Sequence, residues 1–589
     1  MSTSRTTDNL VELRHRLQVH LQLIYPDADH SALTEALLER GGLSDGCHAP
    51  ERHQNLWDEG DNLLITYGDS IVDGDATPLH TLHQFLDEHL KGTISGVHIL
   101  PFFPYSSDDG FAVMDYSSVN PSLGDWDDIT AIANDYRLMS DLVLNHASSR
   151  SLWFDNFKQR RNPGKDYFFE GDPAADLSAV VRPRSSPLLT EVETADGVRH
   201  VWCTFSADQV DLNFANPAVL LEFAGIVRDY LERGVRLFRM DAVAFLWKLP
   251  GTPSVHLPQT HEIIKLLRTL IEHHTADAVV ITETNVPNRE NLTYFGNANE
   301  AHLIYNFSLP PLLVYTLVSG DCRHLKTWMM SMPPAQAGTA YLNFIASHDG
   351  IGLRPLDGLL EQADIDGLVQ CMRDFGARVT TRRAREGYDK PYEINVSLFD
   401  ALQGTRAGGR DALQVDRFVC AHAIMLALEG IPALYIHSLF GTENDEQRVE
   451  HTGNNRSINR HIWKQSELYA ALADDRCHHK TVFQKMTGLL NVRSAQSAFH
   501  PNATQFTLHL GTEVFAFWRQ SVDRSQSIFC LYNVTDSTQV LNLSDINLIG
   551  TECWRDLVSG RDYNDLTARM QLAPYQAVWL TNRFEERGV

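Results

Sequence analysis

Three acidic residues close separate apolar runs: Asp241 ends VRLFRMD, Glu283 ends VVITE and Asp349 ends NFIASHD. A carboxylate at the end of a buried strand is costly unless something pairs with it. One such residue reads as structural; three at equivalent places in a strand order read as a pocket. Arg239 lies two residues before Asp241, on the same face of an extended strand, where it can hold Asp241 ionised. An ionised carboxylate suits a nucleophile. Glu283, if its pKa is raised by burial and a negative neighbour, suits a general acid. Paired carboxyls of this kind work on glycosidic bonds, with retention at a separation of about 5–5.5 Å and inversion at wider spacing. His146 at the end of DLVLNH, Asp108 in SSDDG and His348 beside Asp349 add hydrogen-bonding groups for a polyhydroxy ligand. Phe103, Tyr105, Phe111 and Phe245 offer faces on which a sugar ring can stack.

Other chemistries lack their residues. There is no HExxH, no phosphate loop of the GxxxxGKS/T type, no GxSxG elbow and no Cys/His cluster at zinc spacing. The pairs His273–His274 and His478–His479 have no cysteine partners at ligand spacing and read as incidental. No metal is expected.

The elements that must position these groups follow from periodicity. Residues 1–60 form a helical lead-in, with apolar residues three and four apart in VELRHRLQVHLQLIY and ALTEALLERGG. From residue 61, eight short β-branched runs alternate with helical stretches: DNLLITYG, SGVHILPF, LMSDLVLNH, GVRLFRMDA, DAVVITETN, AHLIYNF, YLNFIASHD and IPALYIHS. Strands buried on both faces with helices between them predict an α/β fold of the (β/α)8 barrel type. An open doubly wound sheet is the runner-up, and no GxGxxG supports it. Two gaps exceed a plain crossover. They predict an inserted lobe at 147–215 after strand 3 and a second at 355–400 after strand 7, both roofing the site. The barrel then occupies 61–146, 216–354 and 401–490. From 491 to 589, short alternating segments such as TQFTLHLG, VFAFWR and SIFCLYNV predict a C-terminal antiparallel β domain.

The chain has 589 residues, 43% hydrophobic and 21% charged, which is enough for a large core. Its formal net charge of -25 disfavours nucleic acid and anionic membrane as partners. Eight scattered cysteines without a CxxC pair, an N-terminus without an apolar signal core and no apolar run long enough to span a bilayer predict a cytoplasmic protein. The oligomeric state is not legible.

The runs GVHILPFFPYSSDDGFAVMDY, LMSDLVLNH, GVRLFRMDA, ITETN, ASHDGIG and NNRSINRH resemble the α-amylase superfamily of glycoside hydrolases (family 13). More closely, residues 55–589 look like its sucrose-phosphorylase-like branch, with glucosylglycerol and glucosylglycerate phosphorylases the nearest members. The resemblance implies Asp241 as nucleophile, Glu283 as acid/base and Asp349 as the third carboxylate, gripping sugar hydroxyls. It implies that Asp108, Phe111, His146, His348 and Arg456 surround the glucosyl unit and that Arg239 accompanies the nucleophile. The expected reaction is a double displacement in which inorganic phosphate, a cosubstrate, releases α-D-glucose 1-phosphate; no cofactor is implied. Phosphate needs cations, for which Arg182 and Arg184 in VRPR, and then Arg382, Arg383 and Arg385 in TTRRAREGY, are the candidates.

The resemblance implies that the second insertion, GYDKPYEIN, helps form the acceptor pocket, with Asp389, Tyr392 and Glu393 as its candidates. Phe245 stands where sucrose phosphorylases have Tyr, and Glu393 where they have Gln, which argues against sucrose. Asp389 falls where a glycerate-specific relative has Arg and would repel a carboxylate, so the expected substrate is 2-O-α-D-glucosylglycerol. Glucosylglycerate is the alternative, reached if Lys390 neutralises Asp389. Further alternatives are a sucrose-type phosphorylase, an α-glucosidase or transglucosidase, and a catalytically inactive sugar-binding module.

Overall fold

Eight short strands carry almost only buried residues and close into a barrel: β1 Leu63–Thr66, β2 Gly96–Ile99, β3 Arg137–Val143, β4 Val235–Asp241, β5 Val279–Thr282, β6 Leu303–Tyr305, β7 Ala340–Asn343 and β8 Ile431–Tyr435. Their order is β1-β8-β7-β6-β5-β4-β3-β2, with every neighbour parallel. Continuous apolar runs suit this arrangement because one face meets the barrel interior and the other meets helices. The computed structural model describes residues 9–383, 389–550 and 553–582, with the backbone alone of Arg383 and Asp389.

Register places the chemistry. Across β3 and β4, Asp141 pairs with Arg239 and Val143 with Asp241. Across β4 and β5, Met240 pairs with Thr282, so Glu283 emerges beside Asp241, and its N–H donates to the Met240 carbonyl at 3.1 Å.

Two expected strands stop early. The seventh run was expected to stay extended to Asp349, but β7 ends at Asn343. The backbone of 347–349 is held instead by side chains of the GNNRSINR run: Asn459 Nδ2 donates to the Ser347 and Asp349 carbonyls at 3.0 Å each, and Arg460 Nε to the His348 carbonyl at 2.8 Å. Likewise β3 ends at Val143, and His146 belongs to a short strand, His146–Ser148, paired antiparallel with Gln209–Asp211.

That ribbon roots the first insertion, which also holds the helix Leu152–Gln159 and the hairpin Leu189–Thr194 with Gly197–Trp202. The second insertion builds a three-stranded sheet from Ile351–Gly352, Asp389–Asn395 and Arg378–Arg383, flanked by the helix Gln362–Asp374. Helices α1 (Asn9–Ile24) and α2 (His30–Arg40) cover barrel helices. Buried Leu10, Leu13, Leu17, Leu21 and Ile24 form the inner stripe of α1, the helical spacing read in the sequence.

The C-terminal region contains a six-stranded antiparallel sheet. Its strands alternate: Val514, Ala516, Phe529 and Leu531 make a small separate core, while Phe515, Phe517, Cys530 and Tyr532 join the barrel core. Among the described residues no helix is long and apolar enough to cross a membrane.

Candidate active site

A pocket opens above the carboxyl ends of the barrel strands. Asp241, Glu283 and Asp349 all line it, although they come from three different elements. Asp108, Phe111, His146, His348 and Arg456 share its wall.

Asp241 is fixed by Arg239, whose Nη1 donates to its Oδ1 at 2.7 Å. The same nitrogen bonds Asp141, and Asp141 Oδ2 lies 2.7 Å from His98 Nε2. These four side chains are buried and form a chain across β2, β3 and β4 behind the pocket. Asp141 and His98 escaped the sequence reading. The signal was a lone carboxylate inside LMSDLVLNH and a lone imidazole inside SGVHILPF, each facing the barrel interior. Because Arg239 is shared with Asp141, it neutralises Asp241 incompletely. Burial, with Glu283 and Asp141 nearby, raises Asp241 above the ordinary carboxylate range against the pull of Arg239.

Glu283 is raised as well, by burial first and then by Asp349, with Arg239 opposing. Its Oε2 accepts from the Ala242 N–H at 2.9 Å. Ala242 has φ +48°, a left-handed conformation unusual for a residue with a side chain, and it directly follows the nucleophile candidate. The strained turn thus aims a backbone donor at Glu283. Asp241 accepts from a guanidinium and Glu283 from a backbone amide, so the two carboxyls are held by partners of different charge.

Asp349 behaves oppositely. Burial pushes it up, but the guanidinium groups of Arg456 and Arg460 bring it well below the usual range. Arg456 Nη1 lies 2.5 Å from Asp349 Oδ1. Glu393 receives Arg456 Nη2 at 2.9 Å and the Gly350 N–H at 3.0 Å. It therefore stands behind Arg456 and does not line the pocket, contrary to its expected place at the acceptor. Arg239 also stands behind the wall, between the rings of Phe111 and Tyr305.

The loop of Asp108 is a tight turn with φ +56° at Asp108, +46° at Asp109 and +111° at Gly110. A Cβ on Gly110 would lie 2.7 Å from the Pro101 carbonyl oxygen, so that position requires glycine. Asp108 Oδ2 accepts from Gln209 Nε2 at 3.1 Å, and Asp109 is paired with Arg460. His146 Nε2 lies 3.1 Å from the Phe111 carbonyl, and burial keeps this imidazole neutral. His348 is also neutral through burial and stacks on Phe111 at 5.0 Å. The base of the first insertion is fixed by Lys248, which meets Asp211 at 2.9 Å and Asn145 at 2.8 Å.

The roof is cationic. Arg182 and Arg184 from the first insertion line the pocket, and so do Arg354, Arg382 and Tyr392 from the second. Arg182 uses one nitrogen on the Ser186 carbonyl, and its Nε has no partner among the described residues. Arg382 lies over Tyr392, 5.8 Å from the ring centre. Arg354, in the GLRP run after Asp349, was missed, as were Gln209 and Asn285. The sequence signal for Asn285 was its place two residues after Glu283.

The acceptor residues meet the expectation unevenly. Asp389 pairs through its backbone with Arg383, and the side chains of both lie outside the description, as do Arg385 and Tyr388 entirely. The argument from the Asp389 charge therefore has no geometric support. Lys390 sits 3.7 Å from Asp357 and faces a neighbouring small cavity, not the catalytic pocket.

One further reading changes. Cys477 flanks the second histidine pair, and its sulfur lies within 4.8 Å of a ring nitrogen of both His478 and His479. Each imidazole already has an occupation: His478 Nε2 bonds the Gly441 carbonyl at 3.0 Å and His479 Nδ1 the Phe440 carbonyl at 2.7 Å. The pair caps a helix carboxyl end.

Comparison with known proteins places this geometry. The alpha-amylase catalytic domain profile matches residues 82–351. A glucosylglycerate phosphorylase of Allomeiothermus silvanus is 42% identical over 97% of this chain and 99% of its own length. A glucosylglycerol phosphorylase of Marinobacter adhaerens is 29% identical over 74% of this chain and 87% of its own. The crystal structure of sucrose 6F-phosphate phosphorylase from Thermoanaerobacter thermosaccharolyticum superposes with a TM-score of 0.70 at 25% identity, covering 81% of this chain and 94% of that one.

Proposed function

Because the chain belongs to the sucrose-phosphorylase-like branch of the α-amylase superfamily, we propose that it is a retaining glucosylglycerate phosphorylase. It converts 2-O-α-D-glucosylglycerate and phosphate reversibly to α-D-glucose 1-phosphate and glycerate. The observation that carries the choice of acceptor is the roof of four guanidinium groups, Arg182, Arg184, Arg354 and Arg382, over a pocket whose floor is anionic. A glycerate carboxylate and a phosphate, arriving in turn at one subsite, both require that charge, whereas glycerol requires it only for phosphate. The 42% identity to a glucosylglycerate phosphorylase supports the same choice. The expectation of glycerol, which rested on Asp389, gives way.

In the proposed steps Asp241 is ionised and Glu283 carries the proton. Asp241 attacks the anomeric carbon from the face opposite the departing oxygen, forming a β-glucosyl-enzyme, while Glu283 delivers its proton to the departing glycerate oxygen. Asp349 and Arg456 hold ring hydroxyls as charge develops on the sugar. Glycerate leaves, phosphate takes its place under the arginines, and Glu283, now a base, accepts its proton. Phosphate oxygen displaces Asp241, and the two inversions sum to retention.

Phosphate-dependent release of glucose 1-phosphate, measured with glucosylglycerate, glucosylglycerol and sucrose at equal concentration, tests the reading. The highest kcat/KM is expected with glucosylglycerate. A higher value with glucosylglycerol would restore the polyol reading, and glucose release without phosphate dependence would make the protein a hydrolase. Asp241→Ala is expected to lose turnover on every donor while remaining folded.

A further inference from the structure

We infer that Arg354 is the guanidinium that receives the acceptor carboxylate, with Arg382 closing the same subsite; this rests on the glycerate reading above. The assignment comes from asking which of the cations around the pocket still has bonding capacity. Arg239 is spent on Asp141 and Asp241, Arg456 on Asp349 and Glu393, and Arg460 on Asp109 and the His348 carbonyl. Arg182 is turned partly onto its own loop at Ser186, and Arg184 of the same loop lines the pocket with no ion pair or hydrogen bond among the described residues to orient it.

Arg354 differs. Among the described residues its side chain bonds only Glu290, through Nη2 at 3.3 Å, which leaves Nε and Nη1 for a ligand. Glu290 is itself divided, meeting His256 Nε2 at 3.1 Å, and its side chain is 42% exposed, so it neutralises Arg354 weakly. The ion pair orients the guanidinium without saturating it.

The backbone of Arg354 is also well fixed. It opens the turn Arg354–Leu356 directly downstream of Asp349 and the strand Ile351–Gly352, and the Leu353 N–H donates to the Tyr392 carbonyl at 3.0 Å. A group that grips the acceptor is thereby tied to the segment that grips the glucosyl unit. Arg382 approaches from the facing hairpin, over the Tyr392 ring, and has no ion pair among the described residues. Arg354 and Arg382 also form the partition between the catalytic pocket and the small cavity that contains Lys390. A planar carboxylate between two guanidinium forks satisfies both; a neutral triol cannot.

The test runs the reaction in reverse, with glucose 1-phosphate as the constant donor and either glycerate or glycerol as acceptor, so that any effect on donor binding cancels in the ratio. In Arg354→Gln the ratio of kcat/KM for glycerate to that for glycerol is expected to fall about 10- to 100-fold. Arg354→Lys, which keeps the charge and loses the fork, is expected to fall between Gln and wild type. An unchanged ratio, or an equal loss with both acceptors, overturns the assignment. Should the Gln variant fail to fold, the Lys variant alone decides, and an unchanged ratio overturns it. If wild type itself transfers no glucosyl to glycerate, the glycerate reading fails and takes this inference with it. If wild type does so and the variants keep its selectivity, the assignment of Arg354 alone is wrong.

Discussion

In the proposed mechanism Asp241 and Glu283 divide the work through the partners each is given. Both are pushed up by burial, but the guanidinium of Arg239 reaches Asp241 and a backbone amide reaches Glu283. Two consequences can be measured. In Glu283→Gln, turnover of a glycoside is expected to fall about 10²- to 10⁴-fold, whereas glucosyl fluoride, whose leaving group needs little protonation, should lose far less in the glucosylation step. Equal losses would assign the proton to another group. In Arg239→Gln the cation that lowers the Asp241 pKa is gone, so Asp241 ionises only at higher pH. The acid limb of kcat/KM is then expected to move upward, together with a lower plateau. A profile that keeps its acid limb would show that Arg239 does not govern this ionisation.

At the scale of elements, the third carboxylate is held by a segment remote in sequence. Asn459 bonds two carbonyls of the Ser347–Asp349 turn, and Arg460 bonds the one between them. Asn459→Ala leaves two carbonyls without their donor, at a cost of about 1–3 kcal/mol each where they stay dry. The expected outcome is a lower kcat/KM and a lower unfolding temperature, while the Arg456–Asp349 pair keeps residual glucosyl binding. Wild-type activity in this variant would mean that the turn is held by Arg460 and packing alone. The same logic explains why Glu393 moved from the acceptor to the support of Arg456: its strand, Asp389–Asn395, pairs with Ile351–Gly352, which brings Glu393 against Gly350.

For the whole molecule, several buried histidines are kept neutral in unrelated places. Burial lowers His273 and His422 to about 4 and His437 to about 3. The unfolded chain binds those protons near the ordinary value of about 6.5, so between that pH and about 4 it carries more protons than the native state. Stability therefore falls as pH drops below about 6.5, by roughly 1.4 kcal/mol per pH unit for each group once its unfolded form is fully protonated. The three sit on a barrel helix under α1, on a helix beneath the C-terminal sheet and just after β8, so their contributions add. Thermal unfolding at pH 7, 6 and 5 should show a steep decline. His422→Gln, offered the same space, is expected to flatten it, and an unchanged slope would show that His422 is not among the groups responsible.

Much of this protein is written locally. The eight runs became the eight barrel strands because a residue string buried on both faces must be continuously apolar, whatever surrounds it. Asp241 and Glu283 were legible because they interrupt those runs at strand ends, and Arg239 because it lies two residues before Asp241 on the same face of its strand. Other assignments depend on who meets whom across hundreds of residues. Asp141 and His98 look like stray polar residues until β2, β3 and β4 lie side by side. Asp349 looks like a strand end until Asn459 and Arg460 claim its backbone. Lys390 looks like the counter-charge of Asp389 until Asp357 is found beside it, and Arg354 looks like a surface arginine until the second insertion folds it over the pocket. Burial pattern is a property of each segment and survives in the linear string. Charge pairing belongs to contacts between segments, and those contacts decide which guanidinium groups remain open to a ligand.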